Sequence, residues 1–344
     1  MCCAAILNAQ PMGFYSPAQL VRDARQHGVE VRPIDVNASA WDCTLEPFNQ
    51  NRFAVRLGLR MTRGLAEKHG LQLVGARGAR SFSSILELSR RAQMPVSALV
   101  QLAKADAFRS LNLTRRQASW EVKALRDETL PLFEDADRRE QRIRPELTEP
   151  VVTLISMTKG REVVEDYRSH GLSLRSHPLA FLRKQLTDMN IMACAGLRDA
   201  KNGQRVTVSG LVLVRQMPGS AKGVMFITLE DETDIANLIV WPSQFEKQRR
   251  TILAAQMLVC RGTVQRASGT IHVIAEHLID HSEMLRAVGG LDEALAVPAG
   301  RGDETKSGDG HDPREVSVPM GPGNHMPRLR IDEESIAVKA RNFR

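Results

Sequence analysis

Aromatic residues are scarce, 15 of 344, and long apolar runs are missing altogether. Runs such as Leu211–Val214 and Leu238–Trp241, and even the seven apolar residues Met1–Leu7, fall far short of the ~20 residues that a helix needs to cross a bilayer, which excludes a helical membrane span. Cysteine is also sparse: Cys2, Cys3, Cys43, Cys194 and Cys260 are scattered, and none forms Cys-x-x-Cys. That excludes a disulfide framework, points to reduced thiols and gives no zinc site. Met1–Asn8 has no basic stretch and runs into a Gln10-Pro11-Met12-Gly13 turn. A signal peptide is therefore not expected, and the expected location is cytoplasmic. Phosphate loops of the Gly-x-x-x-x-Gly-Lys-Ser/Thr type and Glu-x-x-His are absent, and no His-Cys or His-Ser arrangement reads as catalytic. His272 and His277 are five apart, a spacing that puts them on opposite sides of a strand.

The charge that is present is unevenly placed. The net charge is +7. Residues 52–126 carry fifteen Lys or Arg against four Asp or Glu, an excess of 11 positive charges, so all other residues together are net negative. The stretch 127–150 holds eight acidic and four basic residues. A cationic segment of this density attracts a polyanion, with salt-dependent binding.

Hydrophobic period and turn residues divide the chain. Ser16-Pro17 reads as an N-cap with proline at the first helical position, and Gly28 as the stop. Val29–Val36 reads as a short edge strand, because Pro33 cannot donate to a ladder. Residues 52–126 read as helical, broken at Gly58, Gly64, Gly70, Gly75 and Gly78. Phe82, Ile85, Leu86 and Leu88 mark one amphipathic face, and Val96, Leu99, Val100, Leu102 and Ala103 another. His177-Pro178 starts a further helix. From Arg205 the period becomes two: Arg205–Arg215, Gly223–Leu229 and Ile235–Trp241 are strands. A helix capped by Ser243 runs to about Ala255. Met257–Gln265 and Ile271–Leu278, joined at Ser268-Gly269, complete the set. Three strands, a helix and two strands is the layout of an OB-fold, a small barrel that commonly binds single strands. Beyond residue 288 the chain becomes Gly- and Pro-rich and is expected to be largely disordered.

No convincing catalytic set appears. Asp135 and Asp137 have a spacing that can hold paired Mg2+ ions but lie in a polar linker. Glu230, Asp231, Glu232 and Asp234 read as a solvated barrel loop. Two constellations favour nucleic acid. In Leu57-Gly58-Leu59-Arg60-Met61-Thr62-Arg63-Gly64-Leu65, glycines bracket a turn ahead of a helix, where backbone amides can meet phosphate. Arg60, Thr62, Arg63 and Gly64 are the expected duplex contacts, flanked by Arg56 and Lys68. On the barrel, Arg215, Lys222, Trp241 and Arg261 are expected to meet a nucleic-acid single strand. Trp241 fits the barrel core equally well, and Phe226 fits it better than a binding face.

These residues resemble a known family. Gln10-Pro11-Met12-Gly13-Phe14-Tyr15, Leu20–Arg25, His27-Gly28-Val29 and Asp35-Val36-Asn37 resemble the fingers region of bacterial error-prone DNA polymerases. These belong to the C family of the polymerase III alpha subunit. Leu57–Arg60 with Arg63–Ala66, Arg115–Ala118, Glu162–Tyr167, Gly171–Leu174, Gly219–Gly223 and Leu229–Thr233 extend the match to about residue 285. The resemblance implies an α+β multidomain chain. Its parts are the end of the fingers at 1–50, a helix-hairpin-helix DNA-binding region at 51–126, a linker at 127–160 and a helical connector at 161–200. An OB-fold follows at 201–285, then a tail at 286–344. It implies DNA as partner, both primer-template duplex and single-stranded template. It also implies that the palm aspartates and their Mg2+ lie outside this chain, which alone should not polymerise DNA. Arg22, Arg25 and Arg32 would then face the nascent pair or the incoming triphosphate. Thr129-Leu130-Pro131-Leu132-Phe133 resembles a sliding-clamp motif without its leading Gln. The end, Ala337–Arg344, resembles the family's basic final segment but departs from its usual Ser-Arg-Asp-Phe-His ending; accessory mutagenesis proteins are the partners that such an end would meet. The residues alone also fit a stand-alone, non-catalytic nucleic-acid-binding module.

Overall fold

A computed structural model describes residues 2–10, 15–49, 52–125, 154–267 and 269–289. The described residues fall into two units, one of 2–182 with 283–289, the other of 183–282. The division falls inside the stretch expected as a helical connector.

The first unit is mostly helical. Helix α1 (Cys2–Asn8) is followed by α2 (Pro17–Gln26), which starts where local chemistry dictates: Ser16 and Gln19 form a reciprocal capping box, with Pro17 at the first position. A small sheet comes next, of order β1-β3-β2, built from β1 (Val31–Arg32), β2 (Thr44–Asn49) and β3 (Arg52–Arg56). β1 runs parallel to β3, with Val31 opposite Val55, and β2 runs antiparallel to it, with Leu45 opposite Val55. This sheet corrects two expectations. The strand expected over 29–36 keeps only two paired residues and ends before Pro33, whose ring nitrogen carries no hydrogen to donate. Residues 52–56, expected to be helical, are a strand because Ala54 and Val55 are buried by pairing with distant partners.

Four helices complete this part: α3 (Glu67–Arg77), α4 (Ile85–Ala92), α5 (Val96–Lys104) and α6 (Arg115–Ala124). Gly70 and Gly75 lie inside α3 and do not break it. A Cβ at Gly70 would enter the Trp41 ring, so the indole takes the space a side chain would fill. Phe82, Ile85 and Leu88 are buried as expected, whereas Leu86 is exposed, and Leu99, Leu102 and Ala103 enter the same core as Leu57, Leu59 and Phe108. Thr114 and Gln117 form a second capping box at α6. Helix α7 (Lys159–His170), capped by Thr158 and closed by left-handed Gly171, buries Val163, Val164 and Tyr167. His177 caps the tight turn Pro178–Phe181, accepting from the Leu179 amide. After the second unit, helix α10 (Met284–Gly289) returns to pack on α7, with Val288 against Gly160.

The second unit is a closed five-stranded barrel of order β4-β5-β6-β8-β7, the OB-fold arrangement. Helix α8 (Arg183–Asp188) leads into it. Its strands are β4 (Arg205–Gln216), β5 (Met225–Glu230), β6 (Ile235–Val240), β7 (Met257–Ala267) and β8 (Thr270–Asp280), and helix α9 (Pro242–Ala254) lies between β6 and β7. Val208, Val212, Ile227, Leu229, Leu238, Val240, Cys260 and Val273 alternate into its core. Trp241, not Ser243, is the N-cap of α9, with Pro242 at its first position.

Two further expectations change here. The ladder slips between Arg261 and Gly262, so Gly262 faces Ala275 while Arg261 faces His277. Buried Val273, Ala275 and Leu278 show the inward parity switching across this slip, which returns His277 to the outer face with His272. The acidic turn after β5 is not solvated. Asp231 is 0% exposed and accepts from the amides of Cys194, Thr233 and Asp234 and from the Arg183 guanidinium. Burial pushes its carboxyl up, but these donors, led by the Thr233 hydroxyl, hold it below the usual carboxylate range.

Residues 126–153 and 290–344, with Asp135, Asp137, the Thr129–Phe133 motif and the chain's end, lie outside the described residues.

Candidate nucleic-acid interface

The hairpin that enters α3 is built on buried leucines. Leu57, Leu59 and Leu65 anchor it to the core. The Leu59 amide donates to Ala40 at 2.9 Å and the Arg60 amide to Trp41 at 3.0 Å. Gly58 permits this approach, because a Cβ there would stand 2.4 Å from the Trp41 carbonyl oxygen. Gly64 turns the chain at φ +77°, a backbone that side chains rarely adopt. Ala66 then starts α3 with no side chain capping its first amides. Exposed Arg63, Gly64 and Lys68 surround this uncapped helix start, an arrangement suited to phosphate.

The other expected duplex contacts are placed differently. Thr62 is 2% exposed and its hydroxyl has no hydrogen-bond partner. Arg56 forks onto Glu46 at 2.7 and 2.9 Å and donates to the Pro33 carbonyl at 2.8 Å, which commits its guanidinium to the sheet. Arg60 pairs with Asp42 at 2.6 Å. Arg63 donates through its amide to the Ser169 carbonyl at 2.8 Å and through its side chain to that of Arg168 at 3.3 Å, so the hairpin docks on the C-terminal end of α7. Of the three cations assigned near the nascent pair, Arg32 bonds Glu30 and Glu46, and Arg25 donates to the Leu174 carbonyl at 3.1 Å. Arg22 is half-buried on α2. Glu46, held between Arg56 and Arg32, has its carboxyl lowered by both guanidiniums.

A second hairpin joins α5 to α6, turning at left-handed Asp106 and Asn112. It exposes Lys104, Arg109 and Arg116, although Arg109 pairs with Asp106 and Arg116 donates to the Ile155 carbonyl. These cations were missed in the sequence; Arg115–Ala118 was its one signal there. Arg115 itself is buried.

On the barrel the four expected contacts separate. Arg215 donates to the Ile252 carbonyl at 2.6 Å and to that of Ala255, closing the C-terminal end of α9, where carbonyls lack helical partners. Lys222, exposed and left-handed, and half-buried Trp241 lie at one barrel end, where Met225 pairs with Val240 and Gly223 approaches Pro242. Arg261 is elsewhere, on the outer face of β7 between Thr207 and His277. Phe226 also faces outward, opposite Ile239. Asn237, Thr228 and Gln265 lie on this outer surface around His272, whose ring burial lowers below its ordinary value.

Among the described residues, no three His, Cys, Asp or Glu side chains come together as metal ligands would. Nor is any described helix long and apolar enough to cross a membrane.

Comparison with known proteins agrees with both architectures. Residues 28–118 match the family model described as a helix-hairpin-helix motif, and residues 206–280 match that of an OB-fold nucleic acid binding domain. Error-prone DNA polymerase 3 of Agrobacterium fabrum is 51% identical over 347 residues, and error-prone DNA polymerase 1 of the same organism 52% identical over 349. The error-prone DNA polymerase of Mesorhizobium japonicum is 40% identical over 366 residues. Each alignment covers 99% of this chain but 32% of the relative, so the chain spans about a third of the length of the curated relatives it matches. Among solved structures, asparaginyl-tRNA synthetase from Pyrococcus horikoshii aligns with 26% of this chain and 22% of its own, at 22% identity and a TM-score of 0.22. That likeness is too slight to carry an argument.

Proposed function

We propose that this chain, which belongs to the error-prone DNA polymerases as a C-terminal segment of that family, is their DNA-holding part, gripping primer-template during synthesis across damaged template. The observation that carries the reading is the pairing, in one chain, of a phosphate-suited hairpin at Arg63–Lys68 with a closed OB barrel. Duplex phosphate meets Arg63, Gly64 and Lys68 at the start of α3, with Arg60 joining when it leaves Asp42. Single-stranded template meets the barrel through Lys222 and Trp241 at one end and Arg261 on β7. Nucleotidyl transfer, with its Mg2+, belongs to residues outside the third of the family's length that this chain spans. Sliding-clamp and accessory-protein contacts are the further partners that the resemblance suggests.

The test is binding of the whole chain to labelled primer-template across a salt series, beside Arg63→Ala and Lys68→Ala variants. Expected are a steep salt slope for the wild type and a slope smaller by about one for each lost phosphate contact. Unchanged slopes in both variants would remove the hairpin from the interface. Primer extension by the chain alone with Mg2+ and nucleotides would overturn the assignment of catalysis elsewhere.

A further inference from the structure

Helix α6 carries a tryptophan in solvent. Trp120 is 57% exposed, whereas Trp41 and Trp241, the chain's other two, are half-buried. The helix turns Arg115, Ala118 and Val122 into the protein. At about 100° per residue, Arg116, Trp120 and Lys123 fall within an arc of about 60° on the side turned away from these three. All three are exposed. Along the axis Arg116 stands about 6 Å before the tryptophan and Lys123 about 4.5 Å beyond it.

Both cations keep their charge. Arg116 donates to the Ile155 carbonyl at 2.6 Å, a neutral partner that orients the guanidinium without cancelling its charge. Among the described residues neither Arg116 nor Lys123 has a carboxylate partner. Glu121, next in sequence and exposed, lies about 100° round the helix from the ring and farther still from both cations. The ring is therefore bordered by positive charge before and after it on one helix face. A single strand complements this order, since a base offers a planar apolar face between phosphates on either side. A duplex keeps its base faces stacked inside. The cationic surroundings extend beyond the face, because segment 52–126 carries an excess of 11 positive charges.

We infer that Trp120 is a stacking site for one unpaired base of bound DNA, with Arg116 and Lys123 meeting the phosphates on either side of that base. The inference rests on the reading of the chain as a DNA-holding segment, and adds that the helical unit grips a base as well as phosphates. Every base has a π-face, so the contact is indifferent to sequence.

The test uses the full chain and three ligands: a primer-template with a base-bearing overhang, the same with an abasic overhang, and a blunt duplex. Trp120→Ala is expected to weaken binding to the base-bearing overhang by about ten-fold, within the range for loss of one stacking side chain. Affinity for the other two ligands stays at the wild-type level, and Trp120→Phe keeps the preference for bases. Alanine is the best helix former, so the exposed substitution leaves α6 intact. Acrylamide quenching supplies a second readout, with the emission of Trp120 taken as the difference between wild type and Trp120→Phe. That emission should be quenched in the free chain, shielded by the base-bearing overhang and left open by the abasic one and by poly-glutamate. Shielding in the free chain would show the ring covered by the protein itself, and equal shielding by poly-glutamate would give the face to an acidic protein; either overturns the site. So does a Trp120→Ala variant that keeps the full preference for bases or loses affinity for all three ligands alike. If the wild type grips the blunt duplex but shows no preference for bases, the stacking site falls and the duplex grip stands. If it binds no DNA, both readings fall.

Discussion

Arg115 at the start of α6 donates to Asp166 in the middle of α7, with each side chain only 3% exposed. Arg175 donates to both oxygens of the same carboxylate, at 2.6 and 2.7 Å, and to Asp106 at 2.7 Å, while the Ser173 hydroxyl adds a bond of 2.7 Å. This network ties α6, α7 and the second hairpin, and so supports the face of α7 on which the first hairpin docks. Burial pushes the Asp166 carboxyl up, but Arg115 and Arg175 hold it below the ordinary range.

Removing one partner leaves an uncompensated buried charge. Arg115→Met is therefore expected to destabilise the first unit by about 3–5 kcal/mol. Calorimetric unfolding checks it: a variant that melts within a degree or two of wild type would show that the pair contributes little.

The same cluster sets a pH dependence. His170, buried beside Ser169 and facing Asp166, Arg115, Arg175 and Asp106, is lowered to about 4, by burial first, with the carboxylates opposing. Its unfolded value is about 6.5. The unfolded state thus binds the extra proton between these values, so stability is full above pH 6.5 and falls as pH drops to 4, by about 3 kcal/mol. Asp166 acts lower: its contribution is present above its unfolded value of about 3.9 and is lost as pH falls through its depressed folded value. Urea midpoints from pH 7 to 4 should decline in the wild type and decline less in His170→Gln. A flat wild-type profile would contradict this.

Two glycines are expected to respond with opposite signs. Gly58→Ala drives a Cβ to 2.4 Å from the Trp41 carbonyl oxygen and should cost about 1–3 kcal/mol or more. Gly75, inside α3 with nothing within 4 Å of an added Cβ, should gain about 0.5–1 kcal/mol as alanine. Chemical denaturation of the pair measures both, and the same sign in each would refute the packing described for the hairpin.

Thr62→Val tests the fate of a buried hydroxyl. Because that hydroxyl is 2% exposed at residue level and unpartnered, its removal should stabilise by about 1 kcal/mol and leave DNA affinity unchanged. A ten-fold loss of affinity would instead return Thr62 to the phosphate contacts.

Arg56 and Arg215 should behave as parts of the fold. Arg56→Ala strips Glu46 of its fork, and Arg215→Ala uncovers the end of α9; each should cost about 1–3 kcal/mol, with the salt slope of DNA binding unaltered. A salt slope reduced by one in either variant would place that guanidinium on a phosphate.

What the linear sequence determined is what local chemistry decides. The capping boxes Ser16–Gln19 and Thr114–Gln117, the strands and helix of the barrel in their order, and the Gly58–Gly64 hairpin are all written within a few residues. The family resemblance rests on comparably short motifs. Only the tertiary structure decided the β1-β3-β2 sheet, because strands as short as Val31–Arg32 exist by pairing with distant residues and carry little pattern of their own. It also decided which arginines remain open to solvent. Arg56, Arg115 and Arg215 look in sequence like any other cation in a basic stretch, yet their partners Glu46, Asp166 and the Ile252 carbonyl come from other elements. A slip in the β7–β8 ladder likewise put His272 and His277 on one face against the expected alternation. Charge is a property of composition, but its availability depends on which groups folding brings within hydrogen-bond reach.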